Sequence, residues 1–286
     1  MRFLLVLLAT AVMFAQPLAA AEQMDTLEQV KKSGKVRVGF RQAQPPMSFL
    51  DKDGKPAGYS VDLCVRIVNE VKNTLGRDDI AIEYVPVSST NRFEALSNNS
   101  IDILCGATTK TIARGKLVDF TQLTFVTGAS LLSLKDTAVE GISGLQGKKV
   151  AVSKGTTTID ALTEKLKESV SDAKVVPVES AQAGMQALIS GEVDAFSADQ
   201  VVLIGLVLTH EGDQKFAIAS DIFSYEPFAL AVRRNDSDFR LLADTVLAQL
   251  NRSGQITPIY SKWFGQFTKK VPPLLQAMYV LNSTPE

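Results

Sequence analysis

Histidine is nearly missing from this sequence: His210 is the only one, and only two cysteines, Cys64 and Cys105, occur in 286 residues. A zinc or iron site assembled from imidazole and thiolate needs more of both. Catalysis of the Ser-His or Cys-His kind needs a well-placed base. His210 lies in the polar run Thr209-His210-Glu211-Gly212 and reads as a surface residue. G-x-S-x-G, H-E-x-x-H and phosphate-cradling glycine loops are missing too. No metal and no cofactor are therefore expected. Charge of one sign is also lacking. Thirty Lys and Arg face 31 Asp and Glu, a net charge of −1, which leaves no basic footprint for nucleic acid. After the first residues no apolar run approaches the ~20 residues that cross a bilayer.

The N-terminus has a different composition. Arg2 precedes an apolar run from Phe3 to Phe14, and Ala19-Ala20-Ala21 offers small residues for cleavage. This is a secretory-signal pattern over residues 1–21, and it implies a mature protein in the periplasm. No Cys follows the run, so a lipid anchor is not expected. An oxidising compartment permits a disulfide. From the residues alone, Cys64 and Cys105 are a bonded pair or two buried thiols.

Along the chain, strand and helix signals alternate. Leu27–Lys32 reads as a helix stopped by Ser33-Gly34, and Val36–Phe40 as a strand. Ser60 is expected to cap a helix whose apolar positions Val61, Leu63, Cys64, Ile67, Val68 and Val71 follow the 3.6-residue period. Further strands are expected at 80–87, 101–104, 129–134, 149–152, 175–178, 193–196 and 228–232. Helices are expected at 91–96, after 155, and at 183–189, 239–249 and 257–264. The fold class is α/β, and because the rhythm occurs twice, two lobes with mostly parallel sheets are expected. Residues 22–127 and 228–286 would form one lobe and 128–227 the other, with chain crossings near Thr127-Gly128 and Glu226-Pro227-Phe228.

Ligands of such sheets bind beyond the carboxyl ends of strands, where four polar groups fall. Ala107-Thr108-Thr109 should pass from a strand into a short helix and expose N–H groups, with Arg114 adding a carboxylate-binding fork. Gly155-Thr156-Thr157-Thr158 opens a helix and should turn its hydroxyls and N–H groups outward. Asp199 could take an ammonium. Arg41, Ser89 and Arg92 could take a second carboxylate. Each also has a plain reading as a helix cap or a surface arginine.

Taken in order, these pieces resemble the extracellular solute-binding proteins of polar amino-acid ABC importers. The resemblance runs through Gly58-Tyr59-Ser60-Val61-Asp62-Leu63, Asp102–Arg114, Val118-Asp119-Phe120-Thr121, Leu145–Val152, Gly155-Thr156 and Tyr260–Phe264. Within that family the sequence is most similar to glutamate/aspartate binders, through Arg41, Ser89–Arg92 and Cys105–Thr109. The resemblance implies a two-lobe periplasmic-binding fold of type II, a hinge that closes on its ligand, membrane permease subunits as partners, and no enzymatic activity. It implies that Arg114, with N–H groups of Thr109 and Thr156, holds the α-carboxylate. The Ala107 carbonyl, the Thr109 hydroxyl and Asp199 would hold the α-ammonium, and Arg41, Ser89 and Arg92 the side-chain carboxylate. Two departures stand out: Ala107 replaces a serine, and Ala181 falls near a pocket histidine of such binders. Three arginines against Asp199 leave +2, which favours an acidic ligand. A monomer is expected. The rivals are a binder of another polar amino acid, a sensor domain acting through a partner, and a periplasmic dehydratase on the same fold. The dehydratase would need a cleft glutamate that the sequence does not make evident.

Overall fold

The computed structural model describes residues 25–210 and 215–285; the expected signal segment, residues 1–21, lies outside them. The chain opens with helix α1 (Thr26–Ser33), which ends on Gly34 in the left-handed conformation, and strand β1 (Lys35–Phe40). A small antiparallel sheet follows, made of β2 (Ala43–Gln44), β3 (Ser48–Leu50) and β4 (Pro56–Ala57). Helix α2 (Tyr59–Leu75), β5 (Ala81–Pro86), α3 (Arg92–Ser97), β6 (Ile103–Cys105) and β7 (Val118–Thr127) complete the first half. The second half holds β8 (Ala129–Leu134), β9 (Lys149–Ser153), α4 (Thr157–Glu168), β10 (Lys174–Val178), α5 (Ala181–Ile189), β11 (Ala195–Asp199), α6 (Gln200–Thr209) and β12 (Phe216–Ile218). The chain then returns through β13 (Glu226–Arg233) to α7 (Ser237–Arg252), α8 (Ile256–Phe264) and α9 (Pro273–Leu281).

Two five-stranded sheets result, ordered β5-β1-β6-β13-β7 and β10-β9-β11-β8-β12. In each, four strands run one way and one runs against them, β13 in the first and β8 in the second. The reversed strand is in each case the one with which the chain arrives from the other sheet. Gly128 is the first crossing, since β7 and β8 flank it. A Cβ there would stand 2.3 Å from the Ser224 carbonyl oxygen, so only glycine lets the outgoing and returning chains pass so closely. The return path is 219–225, and Phe223 N–H donates to Ala129 O at 2.9 Å. The two crossings are thus hydrogen-bonded neighbours, a geometry suited to bending as a unit.

Apolar periodicity explains most of the elements. In α2, Val61, Leu63, Cys64, Ile67, Val68 and Val71 are buried as expected. The N-cap differs from expectation: Gly58 occupies it, and the Ser60 hydroxyl instead donates to Gly106 O at 3.2 Å. Helix α6 is apolar on nearly every side and is buried at Val201, Val202, Leu203 and Leu206, so it carries no amphipathic signal. Asp102, on the loop into β6, is buried and ion-paired to Arg37 at 2.6 Å and Arg233 at 3.4 Å, tying the first sheet's strand ends together. His210 is exposed at the end of α6 with its ring edge-on to Phe216.

Cys64 on α2 and Cys105 on β6 form a disulfide, 41 residues apart in sequence. Closing a loop of that length removes chain entropy from the unfolded state amounting to about 4 kcal/mol at most. Replacing both cysteines by alanine is expected to cost about 2–4 kcal/mol in denaturant unfolding, and the unreduced unfolded protein is expected to titrate with no free thiol. Two reactive thiols without reductant would contradict the bond.

Candidate functional site

The carboxyl ends of β1, β6, β9 and β11 converge on one cleft between the sheets, and the candidate residues lie there. Arg41 follows β1 directly and is buried at 6% exposure, although a guanidinium is among the groups least willing to leave water. Its backbone N–H donates to Ser48 Oγ at 2.9 Å, which fixes where the side chain departs. Burial pulls the Arg41 guanidinium down to about 10. Arg92, the first residue of α3, is buried more deeply, at 2% exposure. Its Nη1 donates to Ser89 O, its Nη2 donates to Gly155 O at 3.0 Å, and its guanidinium lies 4.6 Å from the Phe93 ring centre. Burial holds its pKa well below the usual arginine value, and the charges of Arg41 and Arg114 lower it further, while Asp199 acts the other way.

Arg114 is half-buried. Its Nη1 donates to Thr109 O at 2.9 Å and its Nη2 to Gly155 O at 3.4 Å. Gly155 therefore presents one carbonyl from the second sheet to two guanidiniums of the first. It adopts φ +68°, and a Cβ would stand 2.8 Å from Ser89 O, so the position takes no side chain without displacing the backbone of the loop before α3. The segment after β6 differs from expectation. It stays extended, with Thr109 bridging Phe228, and reaches only a three-residue 3-10 turn at Arg114–Lys116. Arg114 is held by this extended run and not by the first turn of an α-helix.

Thr156 caps α4, but its hydroxyl turns back to donate to Ser153 O at 2.7 Å. The expected outward hydroxyl at this position is thus corrected: the Ser153 carbonyl at the end of β9, three residues back, accepts it. Thr157 Oγ1 donates to Glu226 Oε2 at 2.6 Å, and Thr109 Oγ1 donates to the same oxygen at 2.5 Å. Glu226 is the functional-site candidate that sequence reasoning missed. It is 1% exposed, opens β13 at the second crossing, and also accepts from Ser224 Oγ at 2.8 Å. The only signal was one carboxylate ahead of an apolar run, Pro227–Val232.

Asp199 ends β11. Burial first, then the charge of Glu226, raises its carboxyl to about 7, against the opposing pull of Arg114 and Arg92. Four buried polar atoms around the cleft have no hydrogen-bond partner among the described residues: Ser89 Oγ, Arg92 Nε, Gln44 Oε1 and Asp199 Oδ1. Buried polar atoms are normally satisfied, so these mark where a polar ligand would make its bonds. Ala107 is buried beside them. On the far side, a cavity of about 350 Å³ lies between Arg41 and Gln44 on one wall and Ser180 and Ala181 on the other. Gln44 gives this wall a polar side chain. Among the described residues no cluster of His, Cys, Asp or Glu could hold a metal ion.

A family model described as bacterial extracellular solute-binding proteins, family 3, matches residues 36–266. The chain belongs to that family. Among curated proteins it is 31% identical over 271 residues to the L-glutamate/L-aspartate-binding protein of Pseudomonas aeruginosa, spanning 93% of this chain and 89% of the relative. Among solved structures it is similar to an ancestral arginine-binding protein bound to glutamine, with TM-score 0.73 and 30% identity, covering 81% of this chain and 98% of that one. It is also similar to the ancestral amino acid-binding protein AncCDT-1, a precursor of cyclohexadienyl dehydratase, with TM-score 0.72 and 28% identity over 84% of this chain and all of that one. This solute-binding protein therefore has the type II two-lobe fold its sequence implies.

The raised Asp199 carboxyl has a sign that can be tested. A carboxyl group with a folded pKa above its unfolded value stabilises the fold fully below the unfolded pKa, and that contribution is lost as pH rises through the folded pKa, here between about 4 and about 7. At ~1.4 kcal/mol per pH unit the loss is at most about 4 kcal/mol. Without ligand, Asp199→Asn is expected to melt higher than the parent at pH 8, with the difference shrinking toward pH 4. A difference independent of pH would contradict this environment.

Proposed function

We propose that this protein binds an acidic amino acid, glutamate or aspartate, in the cleft between its two lobes and delivers it to the membrane permease of an ABC importer. The carrying observation is the charge of the cleft. Arg41, Arg92 and Arg114 share the cleft with Asp199 and Glu226, a formal balance of +3 − 2 = +1; Asp160, whose charge also acts on Arg114, is exposed to water and is left out of the count. An amino acid with net charge −1 neutralises it; a neutral one leaves a buried guanidinium uncompensated, at about 3–5 kcal/mol. Glu226 lowers the surplus by one from the sequence-based value of +2, which brings the match to a monoanion closer.

The α-carboxylate is assigned to Arg114 with the N–H groups of Thr109 and Thr156. The α-ammonium is assigned to Asp199, the Ala107 carbonyl and the Thr109 hydroxyl. Arg41, Arg92 and Ser89 take the side-chain carboxylate, and Ser89 Oγ and Arg92 Nε supply two of the unsatisfied donors. Residues 128–227 form the moving lobe and 22–127 with 228–286 the other, bending at the paired crossings. A ligand that touches both lobes favours the closed state by its difference in affinity for the two states. We further read the protein as exported to the periplasm, monomeric and without catalytic activity. Among its relatives are proteins described as glutamine-binding and general L-amino acid-binding, so charge, not kinship, carries the choice of ligand.

Glu226 gives the cleft the carboxylate that a dehydratase acting on cyclic acids would require. Its two oxygens already accept from three hydroxyls, which suits a fixed acceptor better than an acid that must give up its proton. Binding is therefore the reading we adopt.

In titration calorimetry, Arg114→Ala is expected to abolish binding of every amino acid, since the α-carboxylate is common to all. Arg92→Ala is expected to weaken glutamate by about a hundredfold or more while sparing neutral ligands. Unchanged glutamate affinity in Arg114→Ala would overturn the site.

A further inference from the structure

We infer that Glu226 is a positioning residue that sets the hydroxyls of Thr109 and Thr157 as acceptors toward the cleft, so that the site selects a ligand carrying an ammonium over one of the same shape without it. The inference rests on the acidic amino-acid reading above and adds the device that orients the ligand.

The argument is one of counting hydrogens. A threonine hydroxyl has one hydrogen and two acceptor lone pairs, whereas an ionised carboxylate has lone pairs only. Glu226 Oε2 lies 2.5 Å from Thr109 Oγ1 and 2.6 Å from Thr157 Oγ1, within the range of charge-assisted O–H···O bonds. The two hydroxyl oxygens are 3.3 Å apart and either could donate to the other, a longer and weaker contact than their bonds to the carboxylate. Both hydrogens are therefore directed to Glu226, and what each hydroxyl can still offer is a lone pair. Glu226 Oε1 accepts from Ser224 Oγ at 2.8 Å, so the carboxylate is fixed from both sides.

The three hydroxyls come from three parts of the molecule: Thr109 from the run after β6, Thr157 from the start of α4, and Ser224 from the second crossing. One buried carboxylate thus ties both sheets to the hinge and imposes one polarity on two neighbouring side chains. Asp199 stands close enough for its carboxyl to feel the Glu226 charge. Asp199 and the two hydroxyls make an acceptor corner beside the donors of Arg114, while Arg41 and Arg92 make the other end donors. A ligand carboxylate placed against the hydroxyls of Thr109 and Thr157 would meet only lone pairs; an ammonium would meet partners. The arrangement fixes which way round an amino acid lies.

The test compares L-glutamate with glutarate, which keeps both carboxylates and lacks the ammonium, by calorimetry and competition on the full-length mature protein. Glu226→Gln removes one negative charge, and where its amide nitrogen takes the place of Oε2 it donates to both threonines, which can then turn their own hydrogens toward the ligand. Glutamate affinity is expected to fall roughly tenfold to a hundredfold, while glutarate, a dianion, is held or strengthened by the loss of one negative charge from the cleft, so that the preference for the ammonium collapses. Equal losses for both ligands would show a merely structural role and overturn the inference, as would unchanged glutamate affinity. Thr157→Val, which leaves the charge of the cleft unchanged, separates hydroxyl polarity from charge and also serves where Glu226→Gln does not fold: glutamate is expected to weaken and glutarate to hold, and equal losses or the opposite pattern overturn the inference. Failure of the unsubstituted protein to bind any amino acid would instead defeat the functional reading itself.

Discussion

Two guanidiniums that repel each other, those of Arg41 and Arg92, are buried in one cleft with a third, that of Arg114, beside them. The desolvation of these groups is the largest single influence on their protonation, and a fold keeps such an arrangement only where something else meets the charge. Asp199 and Glu226 meet part of it. The surplus positive charge is the constraint from which the proposed ligand class, orientation and closure follow.

The scaffold works to hold that surplus in place. Arg92 and Arg114 both reach across to Gly155, whose lack of a side chain lets the second sheet come within bonding distance of Ser89 and the two arginines. Opening the cleft would break these bonds and hydrate the guanidiniums. Closing it without a counter-charge would leave them unneutralised. On the proposed reading, a clamp with a charged interior would be sensitive to what enters it, and the hydrogen-bonded crossings at Gly128 and 219–225 would give it one axis about which to move.

Much of this was legible in the sequence because it rests on short-range rules. The 3.6-residue period marked α2, the glycine after Ser33 marked the end of α1, and the repeated strand–helix rhythm gave two sheets. The arginines were conspicuous because charge interrupts apolar strand ends. What escaped notice depended on distant partners. Helix α6 has no polar face, so periodicity could not separate it from a strand. Glu226 looked like part of a connection, since nothing nearby in sequence announces that Thr109 and Thr157 donate to it across 117 and 69 residues. Thr156 was misread because its hydroxyl had a nearer acceptor in Ser153 O. The helix expected after Thr109 yielded to a bridge with Phe228, a pairing set by tertiary contact and not by local propensity.

The most direct measurement is the ratio of dissociation constants for L-glutamate and L-glutamine, which share a shape and differ by one charge. With the cleft carrying a surplus of +1, glutamate is expected to bind at least about a hundredfold more tightly, and the advantage should survive raised salt because the charges are buried. Equal affinities, or a preference for glutamine, would contradict the claim that the buried arginines call for an anionic ligand.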